Sequence, residues 1–118
     1  NTLLQSSDYI SIHVPLLDST YHLLDAQKMS MMKKTAKIIN TSRGGVVDED
    51  ALYDAINNGD LGGAALDVFE KEPATGSKLV ELDNVILTPH IGAQTKEAQS
   101  LAANVIGEKI IQILRGVI

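Results

Sequence analysis

Four short apolar runs, the first rich in β-branched residues and each ended by polar, glycine or proline punctuation, constrain this chain more than any other feature. They are "YISIHV" (Tyr9–Val14), "AKIINTS" (Ala36–Ser42), "GGAALDVF" (Gly62–Phe69) and "NVILTP" (Asn84–Pro89). Runs of that length read as strands, and the segments between them carry helical patterns. Alternation of strands and helices is the signature of an α/β fold, a parallel sheet with flanking helices. The runs are apolar almost throughout, which predicts that both faces of the sheet are covered.

The helical segments have their own start and stop signals. In "LLDAQKMSMM", Asp25 is placed to cap a helix start, with Leu24 and Met29 at the spacing of a hydrophobic staple. In "DEDALYDAINNGD", Asp48 is a natural N-cap, Glu49 and Asp50 suit the first turn, and Ala51, Leu52, Ala55 and Ile56 share a face. Gly59 can take the left-handed turn at that helix's end. A long closing helix is predicted over 95–118, its apolar three- and four-residue steps clearest from Thr95 to Arg115. The opening "TLLQSSD" reads as the tail of a helix feeding a strand. With Asn1 in place of a methionine, it leads us to expect a piece of a longer protein.

Composition narrows the function classes. A net charge of −5 disfavours long-range attraction to nucleic acid or an acidic membrane. Tyr9, Tyr21, Tyr53 and Phe69 are too few aromatics for a base-stacking platform. No apolar run is long enough to span a bilayer, and cysteine is absent, which excludes thiolate chemistry. The cytoplasm is the default compartment.

In a parallel α/β sheet, ligands lie beyond the carboxyl ends of the strands. That rim holds the candidate chemistry. Arg43 follows the second run directly and offers a planar fork that can hold a carboxylate, though it also reads as a surface arginine near a turn. Asp67 sits inside an apolar run, where a carboxylate needs partners, and capping of nearby amides is the plain alternative. Glu70 and Glu72 read as loop acids, with Glu72 set apart by the proline that follows it. His90, in "TPHIGAQT", stands between Pro89 and Gly92, where a carboxylate neighbour would favour its imidazolium form and suit it to acid–base work. His13 and His22 read as structural. No metal-ligand spacing, no G-x-S-x-G elbow and no G-x-G-x-x-G phosphate loop is present.

Taken in order, "SIHVPLLDST", "IINTSRGGVVDEDAL", "GAALDVFEKEP" and "NVILTPHIGAQTKEAQ" resemble the carboxyl-terminal half of the NAD-binding domain of the D-isomer-specific 2-hydroxyacid dehydrogenases. The resemblance covers nearly the whole chain. It implies that residues 1–118 are the second half of a Rossmann-like domain, without the phosphate loop and the substrate domain. It implies a catalytic set of Arg43 on the substrate carboxylate and carbonyl oxygen, His90 as acid–base, and Glu72 orienting His90. It implies an NAD site touching Val14, Thr41, Ser42, Arg43, Asp67, His90, Ile91, Gly92 and Ala93, and no metal.

The substrate implied is a small 2-hydroxy or 2-oxo acid. "TPHIGAQTKEAQ" resembles the phosphoglycerate dehydrogenase branch most, hence 3-phosphoglycerate oxidation in serine biosynthesis. Glycerate, glyoxylate or hydroxypyruvate and D-lactate dehydrogenases are alternatives, as is an NAD-sensing corepressor-like binding module. Glu72 argues against formate dehydrogenases, which carry glutamine there. The full-length protein is expected to be a homo-oligomer, a dimer or higher, and the chain alone to bind dinucleotide poorly.

Overall fold

In the computed structural model, which describes residues 1–116, the four apolar runs form one sheet. Its strands are β1 (Tyr9–Ile12), β2 (Lys37–Asn40), β3 (Gly63–Leu66) and β4 (Val85–Leu87). The order is β1-β2-β3-β4 and every pair is parallel. Ile10, Ile38, Ala64 and Val85 form one row across the sheet, and Ile12, Asn40, Leu66 and Leu87 the next on the same face. Each strand stops before its apolar run does. Pro15 and Pro89 cannot donate to a ladder, while the Asn40 and Asp67 side chains take up amides of the loops beyond.

The helices are α1 (Thr2–Ser6), α2 (Ala26–Met29), α3 (Glu49–Asn57) and α4 (Lys96–Leu114), with a 3-10 turn at Lys78–Glu81. The capping expectations hold. Asp25 accepts from the Lys28 amide and Asp48 from the Ala51 amide; Thr95, not singled out as a cap by the sequence, accepts from the Ala98 amide at the start of α4. Gly59 follows α3 with φ +74°. The pattern after Asp25 yields only one helical turn, with Leu24 and Met29 both buried beneath it.

The expectation that both sheet faces are covered is not met within the described residues. Strands wound sequentially in one direction, with crossovers of one hand, place their connecting helices on a single face. Leu52 and Ile56 of α3, Met29 of α2 and Leu79 of the 3-10 turn accordingly join Ile38, Ala64 and Leu66 in the core. The other face carries Ser11, Ile39, Ala65 and Ile86 in one row, with Ile86 69% exposed.

No residue of α4 is buried, and Leu101, Ile106, Ile110 and Ile113 are all more than half exposed. The closing helix therefore forms but packs on nothing described here. Its expected continuation to 118 lies outside the described residues. At the amino-terminal rim of the sheet, Lys33 pairs with Asp8 at 2.8 Å and Lys34 with Asp60 at 2.9 Å.

Candidate active site

The carboxyl-terminal rim is assembled from three loops. The first, after β2, is shaped by Asn40, which is fully buried. Its side-chain oxygen accepts from the Ser42 amide at 3.1 Å and hydroxyl at 2.8 Å, and its NH2 donates to the Arg43 carbonyl at 3.0 Å. Thr41 and Arg43 are thereby turned outward, both exposed. The Arg43 guanidinium donates to the Ser42 carbonyl at 2.6 Å and forms no ion pair among the described residues. Val14, after β1, is half-buried against the core.

The second loop follows β3. Gly44 of the first loop lies flat against it, so close that a Cβ there would fall 1.8 Å from the Phe69 carbonyl oxygen. The Phe69 amide donates to Glu72 Oε1 at 3.1 Å, which leaves Oε2 to face His90 Nδ1 at 2.8 Å. These bonds hold the Glu72 carboxyl below the ordinary carboxylate value, the His90 contact most of all and the Phe69 amide next.

The third loop holds His90, and Asp67 builds it. Asp67 Oδ1 accepts from the Thr88 hydroxyl and from the Ile91 amide at 2.9 Å, and Oδ2 accepts from the Gly92 amide at 2.8 Å. Burial pushes this carboxyl up, but those three donors and the nearby His90 outweigh it and hold it below its ordinary value. His90 adopts φ +53°, a left-handed conformation that costs a non-glycine residue of order 1–3 kcal/mol. The amide-to-carboxylate bonds on its two successors offset that cost. The sequence places Pro89 and Gly92 around the turn, yet the left-handed residue is the histidine itself. Gly92 serves another purpose, since a Cβ there would lie 3.0 Å from Asp67 Oδ2.

The structure thus brings Glu72 and His90 into contact and ties Asp67 to Ile91 and Gly92. Ile91 and Ala93 are exposed on the outer side of the turn. Arg43 stands on a neighbouring loop without touching the pair. A cavity of about 790 Å³ reaches Glu72 and His90 between Phe69, Val80, Leu87 and Pro89, and neither Arg43, Thr41 nor Val14 lines it.

Sequence reading underrated Asn40, Glu70 and His22. Glu70 is no free loop acid. Its Oε1 accepts from the Glu49 amide at 3.1 Å and contacts His22 Nε2 at 3.0 Å, while its own amide donates to Glu49 Oε1. Burial, foremost, and the neighbouring carboxylates raise the Glu49 carboxyl above its ordinary value. His22, Asp48 and Glu70 bring three potential metal-ligating atoms within 4.8 Å of one another, although no motif spacing announces them. A polar residue closing an apolar run was the available signal for Asn40; nothing local marked the other two.

Residues 1–92 match the family described as D-isomer specific 2-hydroxyacid dehydrogenase, NAD binding domain, and the chain belongs to that family. It is 48% identical over 116 residues to the D-3-phosphoglycerate dehydrogenase of Methanocaldococcus jannaschii, covering 98% of this chain and 22% of that protein. It is 49% identical over 117 residues to the glyoxylate reductase of Thermofilum pendens, covering 98% and 34%. Its fold superimposes with a TM-score of 0.88, at 36% identity, on the D-lactate dehydrogenase of Aquifex aeolicus solved with NAD and lactic acid, over 98% of this chain and 39% of that one. The sheet is therefore part of a Rossmann-like NAD-binding domain, and the chain spans about a fifth to two fifths of the length of these relatives.

Proposed function

We propose that residues 1–118 form the nicotinamide-side half of the NAD-binding domain of a D-2-hydroxyacid dehydrogenase, and that the reaction is oxidation of 3-phosphoglycerate. The observation that carries the dehydrogenase reading is the Glu72–His90 pair, held at the carboxyl rim of the sheet by two independent loops. The rim surface suits the nicotinamide end of NAD: the half-buried Val14 and Ser42, the exposed Thr41, and the turn Ile91–Ala93. The absence of a glycine-rich phosphate loop leaves the pyrophosphate to residues beyond this segment.

NAD, when bound, supplies or accepts the hydride at the substrate carbon. Arg43 grips the substrate carboxylate and stabilises charge on the carbonyl oxygen. His90 gives a proton to that oxygen during reduction and removes it during oxidation. Glu72 orients the imidazole through Nδ1, leaving Nε2 for the substrate. Asp67, with both oxygens committed to the turn, shapes the nicotinamide site by fixing Ile91 and Gly92. The full-length enzyme acts in the cytoplasm as a homo-oligomer.

Similarity to a D-3-phosphoglycerate dehydrogenase supports the substrate, together with the "TPHIGAQTKEAQ" segment. The test is the NADH signal of the full-length enzyme with 3-phosphoglycerate, D-lactate and D-glycerate in oxidation, and with glyoxylate and hydroxypyruvate in reduction. The highest kcat/KM with 3-phosphoglycerate is expected. A higher value with any other acid overturns the substrate, and no turnover with any of them overturns the enzyme reading.

A further inference from the structure

Only two non-glycine residues among those described have positive φ, and both are histidines: His22 at +47° and His90 at +53°. Each faces a carboxylate of the same short loop, His22 facing Glu70 and His90 facing Glu72. We propose that His22 is a positioning residue, a strut that holds the 69–72 loop so that Glu72 meets His90; this rests on the dehydrogenase reading of the site.

The strut is anchored from several elements. The His22 amide donates to the Gly45 carbonyl at 2.7 Å, and Tyr21 stacks on the imidazole with ring centroids 4.0 Å apart. Its Nδ1 lies 3.5 Å from Asp48 Oδ2, whose other oxygen caps α3. Its Nε2 reaches Glu70 Oε1, the oxygen that also accepts from the Glu49 amide. Glu49 returns a contact to the Glu70 amide. One residue earlier in the chain, the Phe69 amide holds Glu72. The imidazole therefore joins the loop after β1, the N-terminus of α3 and the loop that carries Glu72. The side chains in these contacts are partly exposed, and the contacts contribute little to stability. Their effect is on orientation, because rotation of the 69–72 backbone would carry both the Phe69 donor and the Glu72 carboxylate away from His90.

Two substitutions separate the strut from mere folding. Asparagine tolerates left-handed backbone and keeps a donor near the Nδ1 position, but it is too short to reach Glu70. Glutamine places its amide where Nε2 stood. In the full-length dehydrogenase, His22→Asn is expected to lower kcat about tenfold, a fraction of the ~10²–10⁴ that a placed acid–base supplies. The dissociation constant for NADH should stay within about twofold of the parent. His22→Gln should restore most of kcat. Glu70→Ala removes the same contact and also the acceptor of the Glu49 amide, so it should lose at least as much as His22→Asn, and the double variant should be no worse than Glu70→Ala alone.

Glu72→Ala serves as the reference and must lose at least about 100-fold. Full activity in Glu72→Ala overturns the reading of the site and the strut with it. Loss in Glu72→Ala with full activity in His22→Asn and Glu70→Ala overturns the strut alone. So do equal losses in His22→Asn and His22→Gln, or losses that multiply in the double variant.

Discussion

His90 and Glu72 meet at 2.8 Å because each is held by a different loop: the Phe69 amide fixes the carboxylate, and Asp67 fixes the turn behind the histidine. Removing the imidazole and removing its partner should therefore have graded effects. In the full-length enzyme, His90→Ala is expected to lower kcat by ~10²–10⁴. Glu72→Gln keeps an oxygen for Nδ1–H but loses the charge and turns its NH2 towards the Phe69 amide, so its loss should be smaller than that of His90→Ala, about tenfold. Steady-state kinetics at saturating NADH decide the order. A Glu72→Gln loss exceeding that of His90→Ala would contradict this geometry.

Arg43 makes no ion pair among the described residues, and its guanidinium rests on the Ser42 carbonyl. It is free to turn to a substrate. Arg43→Ala should cost about 10²–10³ in kcat/KM, the range of a lost oxyanion donor. Arg43→Lys should recover only a small part, because an ammonium cannot form the two-pronged contact. Comparable kinetics for Lys and Arg would show that charge alone matters there.

Asp67 links acidity to order in the His90 turn. Its folded-state carboxyl titrates below the unfolded one, so between those values the unfolded chain binds more protons and stability climbs with pH. The contribution is complete above the ordinary carboxylate pKa of about 3.9. It is lost as pH falls through the lower, folded-state value. Asp67→Asn should remove that part of the acid dependence and cost about 1–3 kcal/mol at neutral pH, because an amide NH2 then faces a backbone donor. Urea unfolding of the 118-residue chain at a series of pH values measures both.

Gly44 is the point where the first and second rim loops touch. Alanine there would drive a methyl group into the Phe69 carbonyl, and backbone on both sides leaves little room to yield. We expect Gly44→Ala to cost about 3 kcal/mol, the upper end for overpacking. Gly59→Ala meets open space but an unfavourable φ of +74°, and should cost less, about 1 kcal/mol. Thermal unfolding of the two variants ranks them.

The bare apolar stripe on α4, Ile106, Ile110 and Ile113, should make the 118-residue chain self-associate as its concentration rises. Replacing those three residues by glutamine should return it to monomer in sedimentation velocity. A parent chain that is monomeric throughout would refute the expectation.

What was legible in the sequence was local. Asp25 and Asp48 cap helices within three residues of themselves, and the apolar runs mark the strands because pleated, buried segments need such residues. The Glu72–His90 contact, 18 residues apart, was reached through motif order rather than physics. His22 and Glu70 lie 48 residues apart and sit in ordinary polar loops, so no pattern joins them. His90's left-handed backbone was equally hidden, since its cost is offset by a buried carboxylate 23 positions earlier. The single covered face went unread for a different reason: an apolar strand shows that burial is wanted but not which segment provides it.

The two ion pairs at the opposite rim, Lys33 with Asp8 and Lys34 with Asp60, precede the strands and have no part in the proposed chemistry. That separation gives the molecule a handle. Coupling a dye, a resin or a polymer through Lys33 and Lys34 leaves Arg43, Glu72 and His90 pointing away from the point of attachment. A library confined to positions 8, 33, 34 and 60 can retune solubility without rewriting turnover.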